Sequence, residues 1–166
     1  MAQYQISEKG LKLLRDVETL RLIPYDDQTG KETKVWTTGA IIGYGHLINQ
    51  AEWSTYKNGI TETAANNLFQ QDLAPFAKLV SASIAAPLEP NKFDALVILA
   101  YNIGPQSFQN SSLVKLVNNP DTQTPFDNLE AAWKAWNKSQ GKIMNGLTNR
   151  RQCEWNIYSK NIYERW

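Results

Sequence analysis

The sequence is poor in the side chains on which much enzyme chemistry depends. Its 166 residues contain one cysteine, Cys153, and one histidine, His46. A single cysteine excludes an intrachain disulfide and indicates synthesis in a reducing cytoplasm. Zinc sites of the Cys/His type are excluded as well, and a catalytic triad would have to be built on His46. Carboxylates are therefore the groups that remain for catalysis.

The chain also lacks a long apolar run. A membrane span needs about 20 apolar residues, and the longest candidate, 96–101, is far shorter. Residues 1–10 are polar and contain no apolar core of a signal peptide. We therefore expect no secretory leader, no membrane anchor and no integral membrane segment.

Net charge of one sign is nearly absent, because 17 Lys+Arg stand against 16 Asp+Glu. A balance of +1 argues against a dedicated nucleic-acid binder. The charges are uneven, however: residues 1–133 hold ten basic and fourteen acidic residues, and 134–166 hold seven and two. This basic C-terminal region favours either attraction to an anionic polymer or simply a solvated helix surface.

The N-terminal third mixes one helix with short strands. Apolar residues at helical spacing predict an amphipathic helix over Ile6–Glu18, with Ser7 as its N-cap. Between Leu20 and Gly45, glycines separate runs rich in β-branched and aromatic residues. Two of these runs, Lys34–Thr38 and Ala40–Tyr44, are typical of small antiparallel strands.

After Leu47 the pattern predicts helices to the end of the chain. Residues 93–101 are apolar nearly all round, which indicates a central buried helix. The other expected helices start at Thr61 with a kink or break at Pro75, run from Ser111 or Ser112 to Val117, and cover Leu129–Asn137 and Leu147–Tyr158, while Gly104-Pro105 and Asn118-Asn119-Pro120 act as stops. We predict one α+β domain over residues 1–166. Its first helix and β lobe cover about 1–60, and its connecting helix and larger α lobe about 61–166.

Two carboxylates form the candidate catalytic pair. Glu18 falls at the C-terminal end of the first predicted helix, where the partial negative charge of the helix end disfavours an ionised carboxylate. Asp27 lies nine residues later in a polar turn, where it should stay ionised. Two carboxylates in different environments suit the cleavage of a glycosidic bond. Acidic residues near a helix end are, however, more often solvated surface.

The segment Gly43-Tyr44-Gly45-His46 contains a Gly-x-Gly without the third glycine of a nucleotide fingerprint. A tight connection between strands is the simpler interpretation. We expect His46 to have a packing or supporting role, because no serine or cysteine nucleophile motif accompanies it.

Several runs together resemble the phage endolysins of glycoside hydrolase family 24, the phage-type lysozymes or muramidases. The resemblance starts with 17–27 (VETLRLIPYDD) and 42–47 (IGYGHL), continues with 93–96 (FDAL), 101–104 (YNIG) and 108–113 (FQNSSL), and ends with 146–151 (GLTNRR). These runs cover nearly the whole chain in the family's order. The resemblance implies a lysozyme-like α+β fold.

The resemblance also implies roles for the carboxylates and their neighbours. Glu18 would protonate the glycosidic oxygen, and Asp27 would hold or activate the attacking water on the opposite face. In an inverting enzyme the two carboxyl groups stand about 6.5–9.5 Å apart. Leu47, Tyr101 and Ser112 match family positions that line the saccharide cleft. Arg150 matches a basic residue near the catalytic glutamate. A positive charge at Arg150 would favour the ionised form of Glu18.

The chain departs from the family at the third active-site position, where the threonine is replaced by Ile41. Isoleucine cannot hydrogen-bond a water, and losing one positioned hydrogen bond can cost about 10²-fold in rate. Thr38 and Thr37 are the nearest candidate hydroxyls. We expect neither to substitute, because a strand shift of three residues reverses the facing side.

By the resemblance, the protein is an endolysin that hydrolyses the β-1,4 bond between N-acetylmuramic acid and N-acetylglucosamine in peptidoglycan. Ile41 keeps two alternatives open: lytic transglycosylase-like cleavage to a 1,6-anhydro product, or a wall-binding variant with impaired turnover. No metal or organic cofactor is implied. The resemblance further implies a monomer in the host cytoplasm until a separate phage protein permeabilises the membrane, and then action on the periplasmic wall.

Overall fold

A computed structural model describes residues 5–166. The expectation of a leader-free start rests partly on residues 1–4, which lie outside the described part. The elements in chain order are α1 Glu8–Val17, β1 Arg21–Asp26, β2 Lys31–Glu32, β3 Ala40–Gly43, β4 His46–Leu47, a 3-10 turn Gln50–Glu52, α2 Trp53–Tyr56, α3 Glu62–Ser83, α4 Pro90–Ile103, α5 Pro105–Gln109, α6 Ser112–Asn118, α7 Leu129–Lys134, β5 Lys138–Ser139, β6 Lys142–Ile143 and α8 Asn145–Lys160. The chain divides into two compact units. One runs to Leu14 and resumes at Ala74–Trp166; the other, called here the sheet unit, is Arg15–Leu73.

The sheet unit contains four antiparallel strands in the order β2-β1-β3-β4. Side chains alternate along β3, so that Ala40 and Ile42 enter a core with Ile48 and Leu68. Trp36, Trp53, Tyr56 and Ile60 pack against this core. Ile41 points to the opposite face. We call this second face the outer face.

The loop at Gly59 and Ile60 contacts the backbone of β1 at Leu22. Ile60 donates its backbone N–H to the Leu22 carbonyl at 2.9 Å. The preceding Gly59 has φ +92°, and a Cβ at this residue would stand 2.8 Å from the Leu22 carbonyl oxygen. Two separate constraints, backbone conformation and space, therefore require glycine here.

Gly59→Ala is expected to lower the free energy of unfolding by about 1–3 kcal/mol, since it combines a left-handed backbone with a steric clash. Gly45→Ala is the matched control, because Gly45 has φ +93° and an added Cβ would meet no atom within 4 Å. Chemical denaturation of both variants separates the two costs. Equal losses would contradict the proposed contact with Leu22.

The other unit is organised around α4. Residues Asp94–Ala100 of this helix are all buried. Asp94 accepts hydrogen bonds from the backbone N–H and hydroxyl of Ser7 and, at 2.6 Å, from the Tyr163 hydroxyl. Burial and Asp94 together raise the pKa of Tyr163. The start of α1 and the segment after α8 are thereby joined to α4.

A buried ionic cluster joins α8 to α7 and α4. Glu154 is fully buried and contacts Arg150 (Nε–Oε2, 3.0 Å) and Arg151 (Nε–Oε1, 2.8 Å). Trp133 donates its indole N–H to Glu154 at 3.1 Å. Arg151 also donates to the Asn102 side chain at 2.7 Å. Because each charge has a partner, the cluster can be buried without an unpaired ion.

Many of the local predictions are confirmed. The α+β class is confirmed, and Ser7 caps α1, since its hydroxyl accepts the Gly10 N–H. Thr61 does the same for Ala64 at the start of α3. Ser111 caps α6 through the Val114 N–H. Gly104 ends α4, as Gly-Pro predicted.

Three predictions are wrong. Lys34–Thr38 is not a strand but a loop, because Trp36 turns inward to pack against the sheet core and donates its indole N–H to the Ile48 carbonyl. The region after Leu47 is not wholly helical, because β5 and β6 form a hairpin around Gln140 and Gly141, both with positive φ. The break expected at Pro75 is absent, because α3 continues through this residue, while the alternative of a kink stays a prediction. Pro75 and Gln71, the residue whose carbonyl loses its helical N–H partner, are both exposed residues.

Candidate active site

The two candidate catalytic carboxylates flank β1 within the sheet unit. Glu18 follows the last residue of α1 and is half-buried. Asp27 follows the last residue of β1 and is exposed in the turn 27–30. One six-residue strand therefore joins a partly desolvated carboxylate to a hydrated one. The two carboxylates therefore differ in their exposure to water.

The turn that carries Asp27 is fixed by its neighbours. The Asp27 N–H donates to the Gly39 carbonyl at 2.9 Å, and the Gly30 N–H donates to the Asp26 carbonyl at 2.9 Å. Buried Asp26 accepts the Gln28 N–H on its Oδ1 at 2.9 Å. Gln28 donates its side-chain amide to Thr38 Oγ1 at 3.2 Å. Asp27 therefore lies on a rigid turn although its own side chain is in solvent.

Ile41 lies on the outer face between two neighbours. It pairs with Tyr25 of β1 on one side and with Leu47 of β4 on the other, so all three side chains share this face. Leu47 is 60% exposed, and the Arg21 guanidinium lies 4.2 Å from the centre of the Tyr25 ring. The position that the resemblance matches to the family threonine therefore carries an apolar side chain on the outer face.

The two candidate hydroxyls lie on a turn rather than a strand. The Ala40 N–H donates to the Thr37 carbonyl at 3.1 Å and closes a turn over 37–40. The argument that a three-residue shift reverses the facing side therefore does not apply, because it assumed a strand. Thr38 contacts Gln28. The Thr37 hydroxyl is buried and has no hydrogen-bond partner among residues 5–166.

His46 lies between two carboxylates of the sheet unit. Its Nδ1 is 2.9 and 3.0 Å from the Asp72 oxygens, and its Nε2 is 3.2 Å from Glu52 Oε2. Both ring nitrogens face acceptors, so the doubly protonated ring satisfies both contacts. The hydrogen bond to Asp72 is the main cause that raises the pKa of His46, with Glu52 adding to it and burial opposing it.

Asp72→Asn is expected to destabilise the protein in a pH-dependent way. Because the pKa of His46 is raised by folding, its ion pair contributes fully below the unfolded value of 6.5 and is lost as pH rises through the folded value. The difference in free energy of unfolding between wild type and variant should shrink from about pH 5 to about pH 8. Urea denaturation across this range measures it. A constant difference would show that the ion pair does not depend on His46 protonation.

Three further predicted residues belong to the other unit. Tyr101 is half-buried and meets the Phe76 ring edge-on at 5.4 Å. Ser112 is the first residue of α6 and is half-buried. Arg150 is buried, and its guanidinium contacts Glu154, the Ile98 carbonyl at 3.2 Å and the Trp166 ring at 4.6 Å.

The sequence argument missed Asp26 and Gln28 as fixing residues of the turn. The sequence contained part of the signal, because an Asp carboxylate commonly accepts a hydrogen bond from the backbone N–H two residues later. Within residues 5–166, no group of three or more His, Cys, Asp or Glu side chains is placed to hold a metal ion. In the same described part, none of the helices has the length and apolar character needed to cross a bilayer.

Comparisons with known proteins show the family to which the chain belongs. The family profile described as Phage lysozyme matches residues 15–154. The endolysin of Acyrthosiphon pisum secondary endosymbiont phage 1 is 35% identical over 153 residues, which cover 90% of this chain and 94% of that protein. The endolysin of Bacillus phage PZA is 33% identical over 155 residues, but the chain spans only 55% of its length.

A solved structure agrees in fold as well as in sequence. The endolysin of Escherichia coli O157:H7 phage FAHEc1 superimposes with a TM-score of 0.74 at 30% identity and covers 97% of both chains. The predicted lysozyme-like fold is thereby confirmed. The chain belongs to the phage lysozyme family, the endolysins that degrade peptidoglycan for host lysis.

Proposed function

We propose that this enzyme hydrolyses the β-1,4 bond between N-acetylmuramic acid and N-acetylglucosamine, with Glu18 as general acid and Asp27 as the residue that activates water. The observation that carries the proposal is that Glu18, half-buried after α1, and Asp27, exposed after β1, lie on either side of β1 in the chain. Glycosidic cleavage needs one carboxyl group protonated and one ionised at the same pH.

The proposed reaction is a single displacement. Glu18 gives its proton to the bridging oxygen while the bond from that oxygen to the anomeric carbon breaks. Water attacks this carbon from the opposite face and passes a proton to Asp27. Room for the water requires the carboxyl groups to stand about 6.5–9.5 Å apart, and the configuration at the anomeric carbon inverts. No metal or organic cofactor takes part in these steps.

Leu47, Tyr101 and Ser112 are proposed to bind the glycan. Leu47 offers an exposed apolar surface on the outer face, and Tyr101 and Ser112 are each half-buried with a polar hydroxyl. Arg150 is proposed to support the site indirectly, through its contacts within α8 and with α4. We further propose that the enzyme acts as a monomer and reaches the periplasmic wall from the host cytoplasm once another phage protein has permeabilised the membrane.

Ile41 favours a second candidate reaction. With an apolar side chain at the threonine position, the sugar's own 6-hydroxyl can replace water as nucleophile. Its oxygen would bond to the anomeric carbon, the glycosidic bond would break, and Glu18 would give one proton and accept another. The product is a 1,6-anhydro sugar, as from a lytic transglycosylase. A third candidate is a protein that binds the wall without turnover.

Mass spectrometry of fragments released from purified peptidoglycan separates the three. Hydrolysis predicts muropeptides that end in a reducing sugar. Fragments lighter by one water would identify the anhydro route instead. Sedimentation of the protein with peptidoglycan, without any released fragment, would overturn both reactions and leave binding alone.

A further inference from the structure

We propose that Gln28, held in place by Thr38, positions the attacking water in this chain and replaces the hydroxyl that Ile41 removed. The inference rests on the proposed hydrolytic function, since it assigns a partner to the water that Asp27 activates. The residues concerned lie in two segments, DDQTG at 26–30 and TTG at 37–39.

The strand register shows where Ile41 lies relative to Asp27. Tyr25 pairs with Ile41 and Asp26 with Ala40, and the hydrogen bond from Asp27 to Gly39 extends this register by one residue. Asp27 and Ile41 are therefore diagonal neighbours, a relation that places side chains about 7–8 Å apart. A threonine hydroxyl at this position would reach a water beside Asp27. The hydrocarbon side chain of Ile41 provides no such group.

Gln28 is fixed more firmly than an exposed glutamine usually is. Its backbone N–H binds Asp26 Oδ1 and its side-chain amide binds Thr38 Oγ1. The aliphatic part of the Gln28 side chain lies close to Gly39. A Cβ at Gly39 would stand 2.9 Å from Gln28 Cγ and 2.7 Å from Asp26 Oδ1. Gly39 thus leaves the space that Gln28 occupies. One hydrogen bond therefore holds the side-chain amide, and a second holds the backbone of Gln28, the residue that follows Asp27.

The fixed amide presents an acceptor. Its nitrogen is used by Thr38, and its oxygen accepts no hydrogen bond from the described residues. A water that donates one hydrogen to this oxygen and the other to Asp27 keeps a lone pair free for attack. As the new carbon–oxygen bond forms and the glycosidic bond breaks, the proton held by Asp27 leaves the water. The amide only orients the water and is unchanged.

Thr37 is the rival for the same role. Its hydroxyl is buried without a partner in the part of the chain that the structure describes, and such groups commonly hold a water. Gln28 is favoured because it adjoins Asp27 in sequence and hydrogen bonds fix both its backbone and its amide. Thr37 lies two residues before Gly39, the partner of Asp27, and is a diagonal neighbour of Asp27 just as Ile41 is, so the test below includes Thr37→Val.

The test measures kcat and KM on peptidoglycan for Gln28→Ala in two backgrounds, wild type and Ile41→Thr. In wild type we expect kcat to fall about 10²-fold, the lower end of the range for loss of a positioned hydrogen bond. KM should change little. Gln28→Glu keeps an acceptor oxygen and should retain most of the rate. In Ile41→Thr, the restored hydroxyl should make Gln28→Ala nearly silent.

Several outcomes would overturn the inference. One is an equal fall in kcat in both backgrounds, which would indicate a merely structural role. Another is a fall for Thr37→Val without one for Gln28→Ala, which would assign the water to Thr37. Weak hydrolysis by wild type that Ile41→Thr raises about 10²-fold, with no effect of Gln28→Ala, would show that nothing replaces the hydroxyl, while the proposed function stands. Inactivity of both would instead overturn the proposed function itself, and the inference with it.

Discussion

Glu18→Gln is expected to lower the rate of peptidoglycan cleavage about 10²-fold to 10⁴-fold, the usual contribution of a general acid. Glutamine keeps the size of the side chain but has no acidic proton for the bridging oxygen. The leaving sugar would then depart as an unprotonated alkoxide, which is a far poorer leaving group. Release of soluble muropeptides from permeabilised cell walls measures the effect.

A matched carboxylate provides the control for this prediction. Glu32 lies in the same sheet unit, at the end of β2, and is exposed. Glu32→Gln removes one negative charge near the sheet without touching the proposed pair, so cleavage should be unchanged. Undiminished cleavage by Glu18→Gln would contradict the assignment of the acid. An equal loss in both variants would indicate a general effect of charge.

Glu154→Ala is expected to lower the free energy of unfolding by about 3–5 kcal/mol, as for other buried ion pairs that lose one partner. Arg151 is 1% exposed and Arg150 8% exposed, so neither cation can turn to water without rearrangement. The indole N–H of Trp133 loses its acceptor as well. Thermal or denaturant unfolding measures the loss.

An exposed ion pair of the same spacing serves as the comparison. Glu130 and Lys134 are also four residues apart, but their side chains are 45% and 37% exposed. Glu130→Gln should cost only about 0.3–0.5 kcal/mol, because water screens the pair and solvates the remaining charge. Similar losses in Glu154→Ala and Glu130→Gln would contradict the account of the buried cluster.

Local patterns in the sequence predicted the elements that depend on local chemistry. The caps at Ser7 and Thr61, the buried helix α4 and its stop at Gly104 all follow from side chains within a few residues of each other. The strand predicted at Lys34–Thr38 failed because Trp36 contacts Ile48, twelve residues away. No local pattern contains that contact, and β propensity depends strongly on such packing.

Some features of the candidate site could also be predicted from the sequence, and others depend on contacts between distant residues. The resemblance placed Glu18, Asp27 and Ile41, and the register then showed Ile41 on the outer face. The contact between His46 and Asp72 could not be predicted, because Asp72 lies 26 residues further along the chain. The contact between Gln28 and Thr38 was equally hidden, since it joins two turns of unpredicted geometry.

The most direct test of the account is the configuration of the first sugar product, followed by proton nuclear magnetic resonance on a soluble glycan oligomer. Direct attack by water activated at Asp27, with Glu18 as acid, predicts that the α-anomer of the new reducing end appears first and then mutarotates. A β-anomer appearing first, or a 1,6-anhydro end with no anomeric hydroxyl, would contradict the account.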